Sequence, residues 1–272
     1  MIGLGSSIAT ASIQPELLAG GRPSYSNTKS LFLDGTGDYF HPGFTQAQKE
    51  TFFRNSLTIS WWGAYNIDGS SQIVLGFSSN TGAATLLSIN LLTFGGTTLF
   101  IASGYFNGQG WFSGLIPNGL SGNKTTWVHN AVTITKGASD SDNNIFKIYQ
   151  NGSLLNTGGT NATTAANMSV TGFDQDVDIA IGARATASGA NGHTDMRLDE
   201  VAFFDTDLDA NNIAGIYNSG STFDLTSANG NYNSQANLIR YYRLEDNLTD
   251  SKGVSDGGTE GDPTFDSDTP DS

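Results

Sequence analysis

The segment MRLDEVAFFDTDLDANNIAGIY carries Asp205, Asp207 and Asp209 at every second position, the spacing of the carboxylates in calcium-binding loops. A calcium loop of the helix–loop–helix type that began at Asp205 would also need glycine at its sixth position and glutamate at its twelfth. Ala210 and Ile216 occupy those positions. The segment therefore does not predict a calcium loop, and we expect Asp209 instead to cap a short helix that follows it.

Two further carboxylates, Asp199 and Glu200, lie on the predicted strand just before this segment. Glycoside hydrolysis needs two carboxyl groups that face the same bond. Neighbouring side chains of a strand point to opposite faces, so we expect Asp199 and Glu200 not to cooperate. The pattern Glu-x-Asp-x-x-Glu is absent from the sequence. The sequence thus argues against a hydrolase and assigns no catalytic residue.

The tryptophans are candidates for stacking on sugar rings, because an indole face packs well against a pyranose. Trp61 and Trp127 lie on predicted core strands, where packing is the expected role. Trp62 should face away from Trp61, and Trp111 lies among glycines in FNGQGWFSG. Trp62 and Trp111 are therefore the predicted ligand-binding residues.

The three histidines are isolated from one another along the chain and suggest no catalytic group. His129, within the predicted strand TTWVHNAVTI, is interpreted as a buried structural residue. His193, in GANGHTD, is interpreted as exposed on a loop, and His41 has no chemical partner nearby in sequence.

The elements that position these residues are mostly short strands with turns between them. SLTISWWGAYNI alternates apolar and polar residues, which is typical of a strand with one buried face. Asn151 and Gly152 predict a type I′ hairpin turn between FKIYQ and SLL. LDANNIAGIYNSG, with Asp209 at its start and Asn218 to Gly220 at its end, predicts the one short helix. The fold class is therefore all-β, an antiparallel β-sandwich with one helix.

The 272-residue chain carries 12 lysines and arginines against 26 aspartates and glutamates, a formal net charge of −14. Such a chain has no electrostatic attraction for nucleic-acid phosphates or anionic lipid, so we expect neither as a partner. It has no cysteine, and neither a basic start nor a sustained apolar run precedes Arg22. We therefore expect no disulfide, no signal peptide and no membrane insertion.

The chain divides into three predicted regions. Residues 1–29 are an N-terminal arm, and residues 30–250 are a single jelly roll, since no linker separates two cores. Residues 251–272 are an acidic extension with almost no core residues, which we expect to be flexible by itself.

Seven stretches in this order match a known pattern: SLFLDGTGDYF, SLTISWWGAYN, WVHNAVTI, FKIYQNGSLL, DIAIGAR, LDEVAFFDTDLDANNIAGIYNSG and LIRYYRLEDNLTDS. Together they resemble the laminin-G-like branch of the concanavalin A-like jelly rolls, over roughly residues 30–250. Met196 and Asn212 depart from the glycine and glutamate that are usual in this family. The resemblance implies two antiparallel sheets packed face to face, with loops available for binding.

The resemblance also implies one structural calcium ion, held by aspartate and carbonyl oxygens. Asp34 and Asp38 in the first Asp-Gly turn, and Asp199 on a nearby strand, are the metal ligands it suggests. The alternative is that Asp34 forms an Asx-turn and that the other two carboxylates are solvated.

The function that the resemblance implies is non-enzymatic. MIGLG at the start and FDSDTP near the end are similar to laminin-G-like proteins of tailed marine phages. We therefore expect a virion structural or adhesion protein, such as a capsid decoration or fibre, on the virion surface. Its partners would be other virion proteins, further copies of itself and cell-surface glycans. The alternatives are a stand-alone calcium-dependent lectin of a bacterium, extracellular or on the cell surface, and, less favoured, a glycoside hydrolase.

Overall fold

The computed structural model describes residues 25–67, 71–79, 85–94, 97–106, 109–117, 126–137, 145–155, 177–186 and 189–272. The strands in these stretches are β1 (Ser30–Asp34), β2 (Tyr39–His41), β3 (Leu57–Tyr65), β4 (Gln72–Ser79), β5 (Thr85–Phe94), β6 (Thr97–Phe106), β7 (Gln109–Pro117), β8 (Val128–Thr135), β9 (Ile145–Gln150), β10 (Ser153–Leu154), β11 (Val177–Ile181), β12 (Arg184–Thr186), β13 (Gly189–Asn191), β14 (Asp195–Phe204), β15 (Leu238–Tyr242), β16 (Gly258–Glu260) and β17 (Thr264–Asp266). The helices are α1 (Gln46–Arg54) and α2 (Ala210–Tyr217).

These strands build two large antiparallel sheets. The eight-stranded sheet has the order β10-β9-β8-β3-β14-β1-β17, with β15 also paired to β14. The seven-stranded sheet has the order β16-β2-β11-β4-β5-β6-β7, while β12 and β13 form a separate hairpin. Buried side chains from both sheets share one apolar core, so the predicted β-sandwich is confirmed.

The main core lies between the sheets and follows the alternation predicted for β3. Leu57, Ile59 and Trp61 point inward and are at most 1% exposed. The Trp61 indole nitrogen donates a hydrogen bond to the Tyr65 hydroxyl at 2.9 Å, which satisfies its polar atom inside the core. The predicted packing role of Trp61 is thus confirmed.

A second apolar cluster covers the outer face of the eight-stranded sheet. It joins α2 and the segment that follows α2 to outward-facing residues such as Ala202 and Phe204. The helix begins as predicted: the Asp209 carboxylate accepts the Asn212 amide at 2.8 Å, and Asn218 ends the helix in a left-handed conformation. This face is therefore closed to solvent where α2 lies.

The Asn-Gly hairpin also forms as predicted, between β9 and β10. Asn151 and Gly152 have φ angles of 47° and 73°, the positive values that a type I′ turn requires. Gln150 pairs with Ser153 across the turn.

Helix α1 was not predicted, although its start carries a recognisable signal. The Thr45 hydroxyl accepts the Gln48 amide, and the Gln48 side chain accepts the Thr45 amide in return. Only Phe52 and Phe53 are buried, and Phe53 packs 4.2 Å from the Phe77 ring of the seven-stranded sheet. With so few apolar positions the helical periodicity is weak, and tertiary contacts stabilise the helix.

The acidic C-terminal residues, expected to be flexible by themselves, pair with both sheets. β16 pairs with β2, and β17 pairs with β1. Arg197 holds the second contact through an ion pair with Asp266, Nε to Oδ2 at 2.6 Å. These residues have little apolar surface of their own, so backbone pairing and ion pairs provide their order.

Candidate functional site

Asp199 and Glu200 lie side by side at a β-bulge in β14. The register with β3 shifts between Asp199 and Ala202, so that Glu200 and Val201 together oppose a single residue. Glu200 has a φ of 51°, and its carboxylate joins Asp199 on the outer face of the sheet. The predicted separation of the two acids onto opposite faces is wrong, because a bulge breaks the strict alternation of a strand.

The acid pair is enclosed by polar side chains from distant parts of the chain. Asn27 Nδ2 donates to Asp199 Oδ2 at 2.9 Å and lies 3.5 Å from Glu200 Oε1. The Tyr241 hydroxyl donates to the other Glu200 oxygen. Arg243 Nε lies 3.7 Å from Glu200 Oε1. Asp199 and Glu200 are only 0% and 3% exposed, so these contacts replace solvent around both carboxylates.

Burial is the main cause of the raised pKa values of Asp199 and Glu200. It raises the pKa of Asp199 well above its usual range, and the charge of Glu200 raises this pKa further. Burial also raises the pKa of Glu200, to about 8. Adjacent carboxyl groups with raised pKa values hold a proton near neutral pH, as a general acid must. A general acid must also reach its substrate, and both carboxylates are buried in this structure.

The predicted calcium ligands are only partly brought together. Asp34 accepts the Thr36 amide in an Asx-turn at 2.6 Å, and Asp38 accepts the Asp34 amide at 3.1 Å. Asp34 pairs with Asp195, so Asp199 lies farther along β14, within the acid pair. Among the described residues no three His, Asp or Glu side chains are grouped to hold a metal ion. The calcium site therefore stays a prediction, and the Asp34 contacts fit the Asx-turn alternative.

Trp62 is not an exposed stacking platform. It is 4% exposed, and its ring lies 5.4 Å from His129 and 5.8 Å from Tyr217 of α2. Its outward direction is as predicted, but α2 covers that face. Trp111 lies on β7, and its side chain falls outside the described part of the structure.

His129 is structural, as the sequence indicated. It is fully buried, and its Nε2 lies 2.8 Å from the Ser60 hydroxyl. Burial lowers the pKa of His129 to about 3, so the ring is neutral at physiological pH. A neutral, enclosed imidazole packs against Trp62 without the cost of a buried charge.

A polar groove of about 520 Å³ opens beside α1, between β2, β11 and the C-terminal strand β16. The rings of Tyr39 and His41 lie on its wall with their centroids 6.4 Å apart. Lys49 and Asp178 form an ion pair in the groove, Nζ to Oδ1 at 3.0 Å. Glu260 adds an exposed carboxylate. The groove thus combines aromatic ring faces with charged donors and acceptors that solvent can reach.

The backbone of β2 explains why the two rings point outward. Phe40 is fully buried in the main core, so its neighbours Tyr39 and His41 must face the opposite side. On β16, Gly258 lies opposite His41, and a Cβ added there would lie 2.3 Å from His41 Cε1. Glycine therefore lets the C-terminal strand lie close against the His41 ring.

Both rings of the groove are neutral near pH 7. Burial raises the pKa of Tyr39, and the charges of Glu260 and Asp178 add to the rise. Burial lowers the pKa of His41. Tyr39 also contacts His193, with ring centroids 6.2 Å apart, which extends the aromatic surface beyond a single ring pair.

The sequence predicts no site at Tyr39, His41 or His193, because the two histidines are isolated along the chain. The partners of these rings, Lys49 and Asp178, come from other parts of the chain, so the sequence could not show the grouping. One signal was present: polar aromatic residues flank Phe40 in GDYFH, which predicts two ring-bearing side chains on one strand face.

Comparison with solved structures shows similarity of fold. A candidate carbohydrate-binding protein from Bacteroides ovatus gives a TM-score of 0.57 at 18% identity, covering 91% of this chain and 62% of that protein. This chain therefore spans less than two thirds of that protein's length. The CBM40 of the Ruminococcus gnavus IT-sialidase, bound to α2,3-sialyllactose, gives a TM-score of 0.50 at 10% identity, covering 71% of this chain and 100% of the module.

No curated protein matches the sequence. Among the described helices, none has the length and apolar character needed to cross a membrane. A laminin G-like family model, described as the concanavalin A-like lectin/glucanases superfamily, matches residues 34–214, more than half of the chain. The order of strand motifs, the two-sheet sandwich and this match agree. The chain therefore belongs to the laminin G-like family of the concanavalin A-like lectin/glucanases superfamily.

Proposed function

We propose that this protein binds carbohydrate in the groove beside α1 and that it is not a hydrolase. The observation that carries the proposal is the position of the half-buried Tyr39 and His41 rings on the groove wall, beside the Lys49–Asp178 ion pair. Ring faces pack against the apolar face of a sugar, and charged groups exchange hydrogen bonds with its hydroxyls. The lectin-like fold and the carbohydrate-binding structures that share it support this function.

The non-enzymatic part of the proposal rests on the position of the acid pair. Asp199 and Glu200 are the adjacent carboxylates closest to a hydrolase pattern, and they are buried on the outer face of the eight-stranded sheet. The groove, in contrast, is built on the seven-stranded sheet, where Asp178 is already held by Lys49. We expect polysaccharides to bind without release of reducing ends.

Tyr39→Ala is expected to weaken glycan binding by about 5- to 150-fold, because loss of one stacked ring removes on the order of 1–3 kcal/mol of contact energy. Binding is measured on a glycan array and then by calorimetry with the glycans that bind. Leu154→Ala, which truncates a 49% exposed side chain on β10, is the matched control and should bind as the wild type does. Equal binding by a folded Tyr39→Ala protein would contradict the groove assignment.

The same measurement in a chelator separates this proposal from a calcium-dependent lectin. The described carboxylates form no metal-binding group, and Asp178 is paired with Lys49. We therefore expect glycan binding to survive EDTA. Loss of binding in EDTA, restored by calcium, would favour the lectin alternative and a metal-bridged ligand.

We further propose that this protein lies on the surface of a bacteriophage virion. The similarity of the stretches MIGLG and FDSDTP to laminin-G-like proteins of tailed phages supports this location. Pairing of the C-terminal strands with both sheets supports a rigid adhesion or decoration module. The partners would be capsid, tail or fibre proteins, or further copies of this chain. Copurification with capsid protein, or symmetric self-association in ultracentrifugation, is the expected result. A monodisperse monomer that does not associate with particles would contradict this setting.

A further inference from the structure

The charges of the groove indicate which class of sugar it can hold. Lys49 and Asp178 neutralise each other at 3.0 Å. Glu260 on β16 is exposed and has no ion-pair partner among the described residues. Partial burial lowers the pKa of His41, which keeps that ring neutral near pH 7. The groove therefore presents one uncompensated negative charge at its C-terminal wall.

We propose that the groove accepts neutral and amino sugars and rejects sugars that carry a carboxylate. The inference rests on the proposed function, since it concerns the ligand of the same site. A carboxylate beside Glu260 would meet a like charge, and the Lys49 ammonium that could offset it is already held by Asp178. An ammonium group on the sugar would instead be attracted to Glu260.

The field of the whole molecule acts in the same direction. The chain has a formal net charge of −14, which lowers the local concentration of anionic ligands near its surface. The net charge acts on ligands near any part of the surface, so by itself it gives no preference for the groove. The specific prediction is that Glu260, which lies in the groove, accounts for most of the discrimination.

The experiment uses pairs of related glycans in which one member carries the charged group. Lactose is compared with 3′-sialyllactose, and the N-acetylglucosamine tetramer with the glucosamine tetramer. At low ionic strength we expect the carboxylated sugar to bind about fivefold more weakly than its neutral parent, the ratio for one unit charge at contact distance in water. The glucosamine tetramer carries four amino groups and should bind at least about fivefold more tightly than the N-acetylated tetramer. High salt should shrink both ratios.

Glu260→Gln should remove most of both ratios. Asp246→Asn is the matched control: it removes the same charge from a side chain that is 64% exposed and pairs with Lys29 rather than lining the groove. It should preserve both ratios.

The outcomes separate the two proposals. Equal binding of charged and neutral sugars by the wild type would overturn the proposed charge selectivity, and so would binding ratios that persist in Glu260→Gln. Either result would do so even if Tyr39→Ala abolishes binding. Binding of none of these glycans, with no effect of Tyr39→Ala on any array signal, would overturn the proposed function and this inference with it.

Discussion

Glu200→Gln is expected to make the protein more stable at pH 8 and to flatten its loss of stability between about pH 5 and pH 8. The physical reason is the raised pKa of the buried acid pair, about 8 for Glu200. Unfolded Glu and Asp titrate near pH 4. Between that value and the folded pKa the native state holds protons that the unfolded state has released, so the free energy of unfolding falls as the pH rises.

The sign follows from the direction of the shift. A carboxyl whose folded pKa is raised stabilises the native state below the unfolded pKa, and that stability is lost as the pH rises toward the folded pKa. Each such proton contributes a slope of about 1.4 kcal/mol per pH unit. Glutamine keeps an oxygen that can accept from Tyr241 but removes the charge that burial penalises. We expect a gain of about 3–4 kcal/mol at pH 8 and little change at pH 5, because the slope acts over roughly three pH units.

Chemical denaturation at half-unit steps from pH 5 to pH 9 measures this effect. Asp246→Asn removes one exposed carboxylate and should follow the wild-type profile. Asp199→Asn should behave differently from Glu200→Gln, because both Asp199 oxygens accept hydrogen bonds, from Asn27 and from the Glu200 amide, and asparagine has only one oxygen to accept them. A wild-type stability that rises from pH 5 to pH 8, or an unchanged slope in Glu200→Gln, would contradict the prediction.

Deletion of residues 257–272 is expected to lower the free energy of unfolding on the order of 3 kcal/mol. It removes three residue pairs between β16 and β2 and three between β17 and β1, at a net value of about 0.5–1.5 kcal/mol for each hydrogen bond. The half-buried Phe265, which packs against the main core, is lost as well. Thermal and urea unfolding provide the measurement.

Two substitutions test whether the strand pairing accounts for this loss. Gly258→Ala should destabilise, because a Cβ at this position would lie 2.3 Å from the His41 ring. Val254→Ala truncates a side chain that is 57% exposed just before the deleted residues and should change the free energy of unfolding by less than about 0.5 kcal/mol. A deletion variant as stable as the full chain would show that the pairing of the C-terminal strands with the sheets does not stabilise the fold.

Local pattern predicted the elements whose conformation depends on near neighbours. The Asn151–Gly152 turn, the inward alternation of β3 and the Asp209 cap all formed as expected. Helix α1 is the exception. Its capping box is present in the sequence, but only two of its residues are buried, so the helical periodicity is weak. The resemblance to laminin-G-like proteins was carried by the order of such local motifs, and the family match confirms it.

The site residues were harder to predict because their environment is set by long-range contacts. Trp62 faces outward as its strand requires, but α2 from another part of the chain covers it. On one side of β14 the paired strand changes at the bulge: β1 pairs with the residues before Glu200, and β15 pairs with those after it. No local sequence pattern reveals this change of partner. Strict alternation therefore assigned Glu200 to the wrong face.

The sequence by itself determined the all-β class, the family and the main strand motifs, because turn chemistry, alternation and capping act between residues close together in the chain. The tertiary structure alone decided which polar groups are buried together and which face solvent. It paired Asp199 with Glu200, enclosed Trp62, and brought Tyr39, Lys49 and Glu260 to one groove. Burial and charge depend on what packs against a residue across the whole chain, and the proposed sugar site and its charge selectivity follow from that packing.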